Sequence, residues 1–170
     1  MRTIHALALS ALVVATPASP RKASPRGFAN APAATEPLTI SIAVGGKTYE
    51  VSGKGECKHT ALASYRDMRA AMWQVEYNTE GKTGLTNLVL TAWRPLAGGA
   101  DQMSLYVGIG SGKHRIDTVK GSQNVGSGTL SVKPTGTGGI FEIEGKDEKG
   151  TSIKGTVECG SFSAPEAVAG

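Results

Sequence analysis

The side chains best suited to hold a metal are His59, Met68, Met72, Met103 and His114, a soft-to-borderline set of the kind that binds Cu(I). They are spread along the chain with no Met-x-Met or His-x-Met cluster, and Met68 and Met72 sit at the spacing of ordinary packing residues. The expectation is therefore no cofactor, with a Met/His copper site as an alternative. Hydrolytic sets fare no better. His114 and Asp117 are three apart on a strand, so they face opposite sides. No nucleophile elbow is present. Glu142 and Glu144 share a strand face, as the carboxylates of a glycosidase would. By parity their neighbours on the next strand are Lys154 and Glu158, which describes a solvated outer face. No enzyme activity is expected.

Five Gly-Lys pairs occur, at 46–47, 53–54, 81–82, 112–113 and 145–146. A phosphate loop needs a glycine five residues earlier, leading from a strand into a helix. Ser41 and Glu76 stand there for the two pairs that continue as Gly-Lys-Thr, and β pattern follows both. Glycines at turns beside lysines that discourage edge pairing explain the repeats. The loop Gly108-Ile109-Gly110-Ser111-Gly112 is equally poor as a cofactor cradle, because no helix pattern follows it. Trp73, Trp93 and Tyr106 would suit a sugar-stacking platform, but Trp73 shares parity with Val75 and Trp93 with Val89, which favours the core for both.

These residues must be positioned by strands. Alternation recurs about every ten residues between glycine-rich breaks, over 38–44, 47–57, 72–78, 85–94, 102–109, 113–120, 128–133, 140–147 and 152–159. That pattern, with 23 glycines, predicts an all-β antiparallel sandwich or barrel of eight or nine strands. The run 147–150 predicts a hairpin turn with Gly150 in the left-handed position. From Thr60 to Met72, the alanines and the spacing of Leu62, Tyr65, Met68 and Met72 predict a short helix instead. Cys57 and Cys159 each end an alternating segment and point to its apolar face, so they are expected to form one structural disulfide closing the fold. Cys-x-x-Cys is absent, which argues against a redox pair.

Residues 1–18 read as a signal peptide: a basic start, ten apolar residues from Ala6 to Ala15, and small residues suited to cleavage. A helix of ten residues spans roughly half the hydrocarbon thickness, so no transmembrane segment is expected. Residues 19–37 are Pro- and Ala-rich and read as a flexible tether, with a β domain over 38–162 and a disordered tail over 163–170. This predicts a periplasmic or secreted protein, a compartment in which a disulfide persists. The formal charge is +4, yet Arg2, Arg21, Lys22 and Arg26 account for most of it. From Leu38 onward 14 Lys/Arg face 13 Asp/Glu, a balance that argues against nucleic acid as a partner.

The opening Gly-Lys-Thr-Tyr-Glu-Val-Ser-Gly-Lys-Gly-Glu-Cys (46–57) and the closing Phe-Glu-Ile-Glu-Gly (141–145) with Val-Glu-Cys (157–159) resemble the frame of mycobacterial surface lipoprotein antigens of the nineteen-kilodalton type. The similarity covers the two ends of the domain, and the lipidated cysteine of that family is missing. It implies a non-enzymatic β domain of the cell envelope, a binding or structural module for an unidentified protein or glycan. A second similarity of frame is to periplasmic inhibitors of c-type lysozyme, small barrels that present a Ser-Gly loop; Ser111-Gly112-Lys113 is the segment to compare. Protein inhibition, glycan binding through Trp73 and Trp93, and copper binding stand as the alternatives.

Overall fold

The computed structural model describes residues 35–65 and 67–164. The signal peptide and most of the tether inferred above lie outside them, as does the tail beyond Ala164. Nine strands follow one another: β1 (Glu36–Val44), β2 (Lys47–Tyr65), β3 (Met68–Asn78), β4 (Leu85–Pro95), β5 (Gln102–Ile109), β6 (Gly112–Asp117), β7 (Ser127–Thr135), β8 (Gly138–Lys146) and β9 (Ser152–Cys159). They form one antiparallel sheet in the order β6-β5-β4-β3-β2-β1-β9-β8-β7, nearly closed into a barrel. The all-β expectation holds, and every alternating segment became a strand.

The inward positions are those whose alternation marked them. Ile40, Ile42, Leu88, Leu90, Leu105, Ile116, Phe141 and Ile153 are fully buried and fill the interior. A small barrel packed this way has a solid core and no lumen. Cys57 and Cys159 are buried in it and joined, with a Cα–Cα separation of 6.2 Å. The bond ties β2 to β9 beside the start of β1, which pairs with both.

The helix expected over Thr60–Met72 is not formed. β2 runs on to Tyr65 and β3 begins at Met68, so these residues make the tip of a long hairpin. Two physical features override the helical spacing. A register shift between Thr60 and Ala63 moves Ala63 and Tyr65 into line with Met68, Ala70 and Met72. Those side chains then pack with Trp93 and Val119 in a second, smaller apolar cluster. A ladder that covers Trp93 satisfies more than an isolated three-turn helix would.

The two outermost strands meet only in part. Asp117 and Val125 exchange two backbone hydrogen bonds, 2.8 and 3.1 Å. Gly126, at φ +67°, then steers the chain onto β8; a Cβ there would overlap the Lys146 carbonyl, so the bend requires glycine. Farther along β7, side chains replace the missing strand. The Val132 N–H donates to Asp101 Oδ2 (3.0 Å) and its carbonyl accepts from Arg94 Nη2 (2.6 Å). Pro134, two residues on, offers no N–H to a passing strand.

Candidate functional site

Because strands alternate direction, the loops divide between two ends. One end carries the β2–β3 hairpin tip, the loop after β4, the β7–β8 turn and the segment after β9. It is called the arm end here. The other carries the β1–β2, β3–β4, β5–β6 and β8–β9 turns.

A concavity of about 850 Å³ opens at the arm end. Tyr65 and Met68 from the hairpin tip form one wall, and Pro95, Leu96 and Ala97 after β4 form the other. Arg69, Lys120 and Asp67 contribute charge. Leu96 is 56% exposed, and Leu62 on the same hairpin is 54% exposed. Beyond the bulge, Ala63, Tyr65, Met68 and Met72 of the hairpin pack with Trp93 and Val119. The groove is thus apolar along its walls and cationic in part at its rim. No sequence signal marked it, since its residues read as parts of a helix, a loop and two separate strands.

A second, smaller pocket of about 420 Å³ lies at the same end, lined by His59, Trp73, Pro134 and Phe162 among others. The segment after β9 crosses here. Ser163 donates its N–H to the Cys57 carbonyl (2.9 Å) and accepts from the His59 N–H (3.2 Å), and Phe162 turns edge-on to Phe141. His59 lies flat on Trp73, ring centroids 4.8 Å apart. From the strand on the other side, the Arg94 guanidinium approaches the same indole at 5.3 Å. Arg94 in turn grips Asp101 with two hydrogen bonds, 2.8 and 2.7 Å. Burial pushes the Asp101 carboxyl up, but the bonds from Arg94 and from the Val132 N–H outweigh it and hold it below its ordinary range. The bond to Asp101 likewise raises Arg94.

The residues proposed for sugar stacking are placed apart. Trp73 is in the main core and 4% exposed, with its ring engaged by His59 and Arg94. Trp93 belongs to the smaller outer cluster, tilted against Tyr65 at 5.5 Å. The two indoles make no common platform. The metal candidates separate in the same way. Met68 and Met72 join the outer cluster, Met103 is fully buried in the main core, and His59 stacks on Trp73. Among the described residues no group of three His, Cys, Asp or Glu is arranged to hold a metal ion.

His114 has a partner that sequence spacing hid. Its Nδ1 meets Asp147 Oδ2 at 2.8 Å, joining β6 to the β8–β9 turn. Burial pushes the Asp147 carboxyl up, and hydrogen bonds from His114, from the N–H groups of Thr151 and Lys149 and from the Thr151 hydroxyl more than offset it, so the carboxyl is held low. An ionised Asp147 can only accept, so Nδ1 carries the proton. This orients His114 as a catalytic imidazole is oriented, with a hypothetical Cβ on Gly112 falling 3.7 Å from Nε2. Ser111, Gly112 and Lys113 lie exposed at the β5–β6 turn, braced by the Gly110 N–H to the Gly84 carbonyl (2.9 Å). Glycine 112, however, supplies no nucleophile. Asp117 is turned away, as parity required, and its carboxylate accepts from the Val119 N–H and the Ser122 hydroxyl. Glu142 and Glu144 pair with Lys133 and Lys154 on the exposed face.

Comparison with family models, with curated proteins and with solved structures yields no match. Among the described residues no helix is long and apolar enough to cross a membrane.

Proposed function

We propose that this chain is a non-enzymatic binding module of the cell envelope, periplasmic or secreted, and that the arm-end groove receives a partner protein. The carrying observation is half-exposed Leu96 in the wall of a concavity that Tyr65, Met68 and Pro95 also line, with a second half-exposed leucine, Leu62, on the same hairpin as Tyr65 and Met68. The interior is filled by side chains, so binding falls to the outer surface. Exposed large apolar residues around a groove with a charged rim fit a protein interface. Glycan stacking has less support, because both indoles are buried. The catalytic constellations weighed from sequence are either split between faces or engaged in ion pairs.

Site-specific photo-crosslinking in the exporting host tests this reading. A photoreactive phenylalanine at position 96 is expected to yield a discrete protein adduct that Leu62→Asp abolishes, with none from position 54 on β2. Equal adducts from both positions, or none from position 96, would overturn it.

One observation favours a second reading, a protein inhibitor acting through the opposite end. Ser111-Gly112-Lys113 is an exposed, braced turn of the kind an inhibitor inserts into an enzyme cleft. Inhibition of a c-type lysozyme that is lost in Lys113→Ala would establish it over the groove.

A further inference from the structure

Four of the five Gly-Lys pairs place their lysine at the end opposite the groove. Lys47 follows the β1–β2 turn, Lys82 lies in the β3–β4 loop, Lys113 begins β6 and Lys146 ends β8; Lys149 stands in the β8–β9 turn. Hydrogen bonds draw these turns together. The Gly45 N–H donates to the Ser152 carbonyl, His114 bonds Asp147, and the Gly110 N–H donates to the Gly84 carbonyl. Five lysines are gathered there against three carboxylates, Glu80, Asp147 and Glu148, of which Asp147 is already engaged by His114. Among the described residues none of the five ammonium groups makes an ion pair, whereas Lys58, Arg94, Arg115, Lys133 and Lys154 all do.

We infer that this end docks flat onto an anionic lipid surface. Three features select that partner. The cations stand on separate turns around a rim, which matches a plane of charges; a linear polyanion would call for a stripe along one face. They are lysines, hydrated point charges suited to diffuse attraction rather than bidentate grip. The turns between them are built from Gly, Ser, Thr and charged residues, so the backbone can approach a headgroup layer and nothing apolar is offered to the acyl chains. Contact of this kind leaves the arm-end groove facing away from the surface.

Vesicle co-sedimentation of the barrel alone, Pro32–Gly170, tests the inference; it forms a compact unit with its own core and disulfide. Vesicles of phosphatidylglycerol and phosphatidylcholine are compared with phosphatidylcholine alone. Two variants of equal net charge are then compared: Lys82→Gln/Lys146→Gln/Lys149→Gln at the rim, and Lys54→Gln/Lys120→Gln/Lys154→Gln elsewhere. The expected result is binding only to the anionic vesicles, weakened on the order of a hundredfold by the rim variant and much less by the control. It should also be lost at high salt. Unchanged thermal unfolding of both variants excludes a folding defect. Equal weakening in the two variants, or binding to soluble polyphosphate in preference to vesicles, would overturn the proposal.

Discussion

The nearly closed barrel is fastened at two places, by opposite means. Where β2 and β9 flank the start of β1, the closure is covalent: Cys57–Cys159, set in the apolar core. Where β7 approaches the β4–β5 loop, the closure is ionic: Arg94 and Asp101 take the N–H and carbonyl of Val132. The first holds the fold by limiting what the unfolded chain can do. The second holds it by satisfying a strand edge that would otherwise offer itself to another chain. A disulfide is indifferent to pH and salt under oxidising conditions, and a carboxylate clamp is not. One small barrel therefore has one seam tuned by redox and another tuned by protons.

The largest effect should come from the covalent seam. Replacing both cysteines by serine opens a loop with a sequence separation of 102 residues, which the chain-entropy model values at about 4–5 kcal/mol. Urea unfolding of the oxidised and serine forms should show that loss, a large share of the roughly 5–15 kcal/mol typical of a domain. Asp101→Asn breaks the ionic seam and should cost about 2 kcal/mol in the same assay, the lower part of the range for charged hydrogen bonds because Arg94 is partly exposed. Glu144→Gln, at an ion pair exposed on both sides, should lie within error of the parent.

The smallest and sharpest test is pH. Asp101 and Asp147 are both held below the ordinary carboxylate range when folded. Their contribution is complete above the unfolded value near about 4 and is lost as pH falls through the folded values. Stability should thus be flat from about pH 5 to 7 and decline below about 4. The serine variant should keep that acid slope in full, while Asp101→Asn should lose part of it. Equal slopes in parent and Asp101→Asn would remove the ionic seam from the account.

Sequence carried the strands because a half-buried strand writes its face into every second residue. Leu38, Ile40, Ile42 and Val44 are all buried for that reason. It also carried the inward direction of both cysteines. It failed at 60–72, where a bulge displaced the period by one and made a hairpin tip resemble a helix. Long-range pairs were illegible for a different reason. Arg94 and Val132 are 38 apart, and His114 and Asp147 are 33 apart, brought together by turns whose geometry no local pattern encodes. The lysine rim was closer to hand. Strands that reverse at each turn deliver alternate turns to one end, which brings four of the five Gly-Lys pairs together there while Gly53-Lys54 stays within β2.

The order of strands also sets when the barrel can exist. β1 to β6 form one meander and β7 to β9 another; the pairing of β1 with β9 is the ladder that unites them. β9 is the last strand among the described residues, and it carries Cys159, the partner of Cys57. Because the uniting ladder pairs the first strand with the ninth, the sheet cannot be completed before β9 is available. Completion of the sheet therefore depends on its most sequence-distant pairing, that of β1 with β9.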